Sequence, residues 1–214
     1  MTQRTRIKIC GLTREVDVDD AVDAGADAIG FVLYPASPRA VTLERACELA
    51  GRLRPFVTPV LLFVDAAPAT VAAAARALPQ ALLQFHGNED AAQCDAAGRP
   101  YLRAARMRPG FDLLDFASRF PRAAGLLLDT HVEGYGGSGE VFDWSLIPRG
   151  VPCPVVLSGG LSPANVTDGI TRLQPWAVDV SSGVETAKGI KDATLMRRFC
   201  AAVHAADAQR ARQS

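Results

Sequence analysis

The sequence predicts a single-domain (β/α)8 TIM barrel, in which a parallel eight-stranded sheet closes on itself and is surrounded by helices. Its 214 residues are enough for one such unit, because α/β barrels of about 200–250 residues are commonly single domains. Short apolar runs recur at a spacing of roughly 20 to 30 residues, with helical segments between them. An open doubly wound sheet is less consistent with the sequence, because no glycine-rich dinucleotide loop follows the first strand.

Eight short apolar runs are predicted to form the strands of the barrel. Runs such as Leu126-Leu127-Leu128 are apolar on both faces, as expected for parallel strands that are covered by helices. The predicted strands are Arg6–Cys10, Ala28–Leu33, Pro59–Val64, Ala81–Phe85, Tyr101–Ala104, Gly125–Asp129, Pro154–Leu157 and Ala177–Val180.

The segments between the strands are mostly alanine-rich and have a helical pattern. The predicted helices are Val16–Ala24, Leu43–Leu53, Ala69–Leu78, Asp112–Arg119 and Asp192–Ala206, and Asp192 is expected to cap the last of them. The connection 131–142 is instead rich in glycine, a composition typical of loops that close over an active site. We expect one domain over residues 1–208, followed by a polar tail at 209–214.

Composition excludes several classes of function. Acidic and basic residues balance at 23 each, so no basic surface for nucleic acid is expected. No apolar run approaches the ~20 residues that a membrane span needs. The five cysteines are scattered, without the paired spacing of metal sites, and the first residues do not resemble a secretory leader. We therefore expect a cytoplasmic protein, monomer or homodimer, with a small-molecule partner and no metal.

Polar side chains fall where the predicted strands end. In a barrel of this kind the carboxyl ends of the strands meet at one face, and active sites lie there. Cys10 ends the first strand, His86 follows the fourth, Asp129 ends the sixth and Asp179 lies in the eighth. We expect these four side chains to lie around one opening.

Cys10 and Asp129 are the candidate catalytic pair. A thiol and a carboxyl group at one barrel opening can act as base and acid if their surroundings separate their pKa values. A thiol that acts as base needs a positive charge nearby. Each residue taken alone has a simpler interpretation, as a buried structural thiol or as a strand-end carboxylate that caps a turn. Their joint placement favours catalysis.

Two glycine-containing loops predict a phosphate site. Gly159 and Gly160 follow the seventh strand, and Ser182 and Gly183 follow the eighth. These are the usual positions at which barrel enzymes bind phosphate through backbone N–H groups. One Gly-Gly pair is more often only a turn, but two such loops at these strands indicate a phosphorylated ligand.

Four further polar residues have both a binding and a structural interpretation. Arg39 suits a bidentate grip on a carboxylate, although it could be a solvated loop charge. His86 is either a structural histidine or a residue that lines the site. Asp179 is costly to bury without a partner. Lys8 shares the strand face of Cys10, and we expect it to pair with Asp179 inside the barrel.

Ten short motifs follow one another along nearly the whole sequence. They are Lys-Ile-Cys-Gly-Leu-Thr (8–13), Gly-Phe-Val (30–32), Ser-Pro-Arg (37–39), Gln-Phe-His-Gly (84–87), Leu-Leu-Asp-Thr (127–130), Gly-Gly-Ser-Gly (136–139), Phe-Asp-Trp (142–144), Ser-Gly-Gly-Leu-Ser-Pro-Ala-Asn-Val (158–166), Asp-Val-Ser-Ser-Gly-Val-Glu (179–185) and Gly-Ile-Lys-Asp (189–192). Any one of these motifs is unspecific, but their ordered set is highly specific. With this set the sequence resembles the phosphoribosylanthranilate isomerase family of tryptophan biosynthesis. One departure from the family's pattern is Phe85, where leucine is commoner.

The resemblance implies an Amadori rearrangement of N-(5-phosphoribosyl)anthranilate to 1-(2-carboxyphenylamino)-1-deoxyribulose 5-phosphate, without a cofactor. It implies that Cys10 is the general base, that Asp129 is the general acid and that Arg39 holds the anthranilate carboxylate. The substrate-binding residues that it implies are His86, Asp179, Gly159, Gly160, Ser182 and Gly183, the last four at the phosphate.

Three alternatives remain at this point. A Schiff-base aldolase would use the amine of Lys8, and a phosphosugar-binding barrel would have lost its activity. Redox signalling through Cys10 lacks a resolving cysteine nearby in sequence. The sequence also leaves open whether the related aminoaldose of histidine biosynthesis is a substrate.

Overall fold

The predicted barrel is confirmed in a computed structural model, which describes residues 4–130 and 142–213. Eight parallel strands pair in chain order, and the first pairs with the last to close the barrel. β5 runs three residues past its predicted end at Ala104. The strands are β1 (Arg6–Cys10), β2 (Ala28–Val32), β3 (Thr58–Phe63), β4 (Leu82–Phe85), β5 (Tyr101–Met107), β6 (Gly125–Thr130), β7 (Val155–Leu157) and β8 (Ala177–Val180).

Helices cover the outside of the barrel. Side chains cap several of them, and the predicted cap Asp192 accepts a hydrogen bond from the Leu195 N–H at 2.8 Å. Asp90 and Gln93 form a reciprocal capping box at another, which satisfies two backbone donors at once. The helices are α1 (Glu15–Ala24), α2 (Leu43–Ala50), α3 (Pro68–Ala77), α4 (Ala91–Asp95), α5 (Leu113–Ser118), α6 (Val166–Leu173) and α7 (Ala193–Gln213).

The C-terminal segment differs from the sequence-based expectation, and the glycine-rich connection lies outside the described residues. The polar segment expected to be a tail is helical, because α7 continues to Gln213 through alanine, arginine and glutamine, which are strong helix formers. The glycine-rich connection predicted over 131–142 lies outside the described residues, except for Phe142. No described helix is both long and apolar enough to cross a membrane.

Side chains alternate between two core layers, because successive residues of a strand point to opposite faces. Ile7, Ile9 and Leu126 pack outward into the large core beneath the helices. Two smaller clusters contain the residues whose side chains point the other way, into the barrel. One consists of Leu102, Ala104, Leu127, Val156 and Ala177, and the other of Cys10, Val32, Leu62 and Val64. The barrel interior is therefore packed, as in other barrels of this class.

Lys8 and Asp179 form a buried ion pair where the barrel closes. They lie opposite each other in the β1–β8 register, and Lys8 Nζ is 2.8 Å from Asp179 Oδ1. Ser158 Oγ donates to the other carboxylate oxygen at 3.1 Å. The pairing predicted from the sequence is confirmed. The exposure of Lys8 is 3% and that of Asp179 is 5%, so neither charge is balanced by solvent.

Removal of one partner of this pair is expected to destabilise the fold. The Lys8→Met variant leaves the Asp179 carboxylate buried without its counter-charge, which typically costs about 3–5 kcal/mol. The double variant Lys8→Met/Asp179→Leu is expected to lose less, because apolar groups can replace a buried pair at little cost. Urea unfolding followed by circular dichroism measures both. The exposed-site variant Lys188→Met is the control, and a loss below about 1 kcal/mol in Lys8→Met contradicts the expectation.

Candidate active site

A cavity opens at the carboxyl end of the barrel and collects almost all of the site residues predicted from the sequence. Its polar lining includes Cys10, Arg39, His86, Asp129 and Asp179. Gly159, Gly160 and Ser182 also line it, whereas Gly183 does not. The thiol and the carboxyl group of the candidate pair therefore border one space.

Cys10 lies at the end of β1, with 5% of its surface exposed. Burial raises the pKa of its thiol, and Asp179 adds to this effect, whereas the neighbouring Lys8 ammonium acts in the opposite direction. The positive charge expected beside the thiol is thus present, but burial outweighs it. Gly30 makes the arrangement possible, because a Cβ there would lie 2.6 Å from the Cys10 sulfur.

Lys8 remains a cation in this environment. Burial by itself lowers the pKa of the ammonium, but Asp179 and Cys10 more than compensate and hold it above its ordinary value. A Schiff-base enzyme needs the neutral amine as nucleophile. The local charges therefore disfavour the aldolase alternative.

Asp129 is the penultimate residue of β6, and contacts hold both of its carboxylate oxygens. Oδ2 lies 3.1 Å from Nε2 of His86, and Oδ1 accepts the Thr130 N–H at 2.8 Å. Gly159 passes close behind the carboxylate, where a Cβ would lie 2.9 Å from Oδ1. Its φ of +78° is one that glycine adopts at little cost. His86, predicted to line the cavity, is thus also a direct partner of the candidate acid.

Arg39 lies in the cavity wall and already binds a carboxylate of this chain. Its Nε and Nη2 donate to the two oxygens of Glu185 at 2.8 and 2.7 Å. Lys191 Nζ donates to the same Glu185 at 2.8 Å. Burial opposes ionisation of Glu185, but Arg39 and Lys191 hold the pKa of its carboxyl below the ordinary value. Arg39, Glu185 and Lys191 therefore form an ion triad, which holds one edge of the Arg39 guanidinium in place.

Sequence reasoning missed Glu185 and Lys191 as members of the site. Both lie in motifs of the resemblance, but neither motif assigns them a partner. A short antiparallel hairpin after β8, β9 (Glu185–Ala187) with β10 (Ile190–Lys191), brings them together. The sequence signal for this contact was the occurrence of Glu185 and Lys191 in one short polar segment after β8.

The two predicted phosphate loops differ in how they meet the cavity. Gly160, with φ of +66°, lines it, and Asn165 Nδ2 donates to the Gly160 carbonyl at 2.9 Å. Ser182 lines it from a 3₁₀ turn that follows β8. Gly183 lies behind Ser182, where a Cβ would overlap the Leu161 carbonyl. Gly183 therefore serves the close packing of the two loops.

Comparison with known proteins identifies the family. The model of the N-(5'-phosphoribosyl)anthranilate (PRA) isomerase family matches residues 7–202. The chain belongs to this family. The isomerase of Methylibium petroleiphilum is 70% identical over 206 residues, covering 96% of this chain and 97% of that protein. The isomerase of Dechloromonas aromatica is 63% identical over 204 residues, covering 95% and 98%.

Solved structures of PRA isomerases share the fold of this chain. The structure from Thermotoga maritima superposes with a TM-score of 0.87 at 38% identity, covering 94% of this chain and 99% of that one. A second structure superposes with a TM-score of 0.84 at 35% identity and the same coverage. It is a complex with reduced 1-(o-carboxyphenylamino)-1-deoxyribulose 5-phosphate.

The reactivity of the Cys10 thiol is expected to follow the charges around it. Alkylation by iodoacetamide, quantified at the Cys10 peptide by mass spectrometry, should reach half its maximal rate at a pH above that of an ordinary free thiol. Lys8→Met should move this midpoint further up, because the ammonium stabilises the thiolate. Lys188→Met, at an exposed position, should leave it in place. An unchanged midpoint in Lys8→Met would show that the Lys8 ammonium does not affect the ionisation of the Cys10 thiol.

Proposed function

We propose that the chain converts N-(5-phosphoribosyl)anthranilate to 1-(2-carboxyphenylamino)-1-deoxyribulose 5-phosphate, with Asp129 as general acid and Cys10 as general base. The main support is the position of these two groups on one cavity in a member of the PRA isomerase family. A relative of known structure binds the reduced form of this product. The reaction moves protons within one molecule and has no net redox change, so it requires no cofactor.

The first step is the opening of the furanose ring. The Asp129 carboxyl delivers its proton to the ring oxygen, the bond between that oxygen and C1′ breaks, and the nitrogen lone pair forms a C1′=N iminium. His86 and the Thr130 N–H support this step, because both contact the carboxylate that is left behind. Hydrogen bonds to an ionised group are stronger than those to a neutral one.

The second step is removal of the C2′ proton. The iminium makes this proton acidic, and the Cys10 thiolate accepts it while the electrons of the C2′–H bond form a C1′=C2′ double bond and the iminium electrons return to nitrogen. The resulting enaminol gives the ketose when C1′ takes up a proton and the C2′ hydroxyl releases one as its C=O bond forms. Lys8 supports this step, because its ammonium lies beside the sulfur.

The ends of the substrate match the two remaining parts of the cavity. The anthranilate carboxylate is placed against Arg39, whose other edge is held by Glu185. The phosphate is placed against Gly160 and Ser182. Gly183 lets their two loops pack closely, and Gly159 lets its loop pack against the end of β6. His86 and Asp179 border the sugar between the two ends. In this placement Gly160 and Ser182 contact the phosphate, whereas Gly183 lies behind the lining of the cavity.

We also propose a cytoplasmic location and no nucleic-acid partner. All five cysteines are free thiols, as is usual for proteins of a reducing compartment. The balanced charge, 23 acidic and 23 basic residues, gives the chain no net positive charge that would attract nucleic acid.

Substitution of either catalytic group is expected to lower kcat far more than it changes KM. Cys10→Ser and Asp129→Asn each remove one proton-transfer group, and general acid–base help is worth about 10²–10⁴-fold. Purified protein is assayed by the fluorescence of anthranilate ribotide as it disappears. Cys47→Ser, at a helix position outside the cavity, is the matched control. Near-normal turnover in either variant excludes that residue from the mechanism.

We propose that the chain is a homodimer that associates through the amino-terminal face of the barrel. The side chain of Phe56 is fully exposed, just before β3, and Trp176, just before β8, is 37% exposed on the same face. Exposed large apolar residues that share one face often mark an interface. A Thermotoga maritima relative is described as a dimeric enzyme from which monomers were generated.

Light scattering coupled to size-exclusion chromatography tests the dimer. The wild-type protein is expected at twice the chain mass of 22.7 kDa, and Phe56→Ser at the mass of one chain. Leu114→Ser, which changes an exposed leucine on α5, is the control and should remain dimeric. A wild-type protein at the mass of one chain contradicts the proposal. The cavity lies at the opposite end of the barrel, so Phe56→Ser should keep its turnover.

A further inference from the structure

Gln84 lies in the cavity with one amide atom unsatisfied. The residue is 1% exposed and lines the cavity, and its Oε1 has no hydrogen-bond partner among the described residues. Buried polar atoms are rarely left without a partner, and each exception calls for an explanation. Gln84 precedes His86 by two residues in β4 and its extension, so both side chains point into the barrel.

The other amide atom of Gln84 determines which nitrogen of His86 carries the proton. Nε2 of Gln84 lies 3.2 Å from Nδ1 of His86. With the amide in this orientation its nitrogen donates and Nδ1 accepts, which places the ring proton on Nε2. Nε2 of the ring lies 3.1 Å from Oδ2 of Asp129. The Nε2–H of the ring is thereby aimed at the carboxyl group of Asp129.

We propose that Gln84 is a positioning residue with two tasks: its Nε2 holds His86 in the tautomer that donates to Asp129, and its Oε1 accepts a hydroxyl of the bound sugar. This inference rests on the proposed function and adds a contact to the sugar between its phosphate and its anthranilate end. As Asp129 gives its proton to the ring oxygen, the His86 N–H stabilises the carboxylate that forms. The sugar hydroxyl supplies the donor that buried Oε1 lacks.

The tautomer is measured directly by ¹⁵N NMR of protein labelled at histidine. In the wild type, Nδ1 of His86 should give the shift of an unprotonated ring nitrogen and Nε2 that of an N–H. In Gln84→Met this preference should be lost, and the two tautomers should mix. Gln80→Met, which changes an exposed glutamine, is the control, and His86→Gln assigns the signal. A protonated Nδ1 in the wild type, or an unchanged spectrum in Gln84→Met, overturns the proposal.

Glutamate at position 84 separates the two tasks. In Gln84→Glu a carboxylate of nearly the same shape can still accept the sugar hydroxyl, but it can no longer donate to Nδ1. KM should therefore stay within about threefold of wild type while kcat falls about tenfold or more, and Nδ1 should become protonated. Gln84→Met should raise KM about tenfold as well, because the hydroxyl loses its acceptor. Equal effects of the two variants on KM would refute the contact to the sugar.

Thermal unfolding of each variant establishes that it is folded before its kinetics are compared. If wild-type protein has no isomerase activity, the proposed function fails. If wild-type protein is active and Gln84→Glu retains the wild-type tautomer and kcat, the role of Gln84 alone fails. The spectroscopic and kinetic measurements thus judge the two proposals separately.

Discussion

The ion pair between Lys8 and Asp179 is the contact on which both the closure of the barrel and the position of the thiol depend. Because β1 and β8 pair in register at these residues, strand alternation points both charges into the interior. Neither charge could be buried alone without a cost of several kcal/mol. Next to the pair, Ser181 Oγ donates to the Cys10 carbonyl at 3.0 Å. The first strand and the loop after the last strand are therefore tied together at the base of the site.

The charges around the thiol leave one positive charge in excess. The groups involved are the cations Lys8, Arg39 and Lys191 and the carboxylates Asp179 and Glu185. Either a thiolate or an anionic group of the substrate would balance this excess. Burial nevertheless raises the pKa of the Cys10 thiol, against the lowering effect of the Lys8 ammonium. A base of higher pKa is a stronger base, so the raised pKa makes the thiolate a stronger acceptor for the C2′ proton.

The sequence was sufficient to predict those site residues whose positions depend on the order of the strands and on the alternation of side chains along them. Cys10, Asp129 and the Lys8–Asp179 pair follow from reading which residues end each strand and which share its inner face. It did not reach Gln84, because a glutamine in an apolar strand gives no sign of which atom its amide will meet. It did not reach Glu185, because the hairpin that carries it is too short to produce a periodic pattern.

β5 explains why the candidate acid is held as firmly as the candidate base. Arg103 donates to the carbonyls of Phe85 and Gly87, both at 3.0 Å, and Arg106 donates to the His86 carbonyl at 2.9 Å. Three successive carbonyls of the turn that carries the imidazole are thus bound by the neighbouring strand. The predicted strand ended at Ala104, before the charged Arg106. Arg106 is instead part of β5, and it holds the backbone from which the His86 side chain contacts the Asp129 carboxyl group.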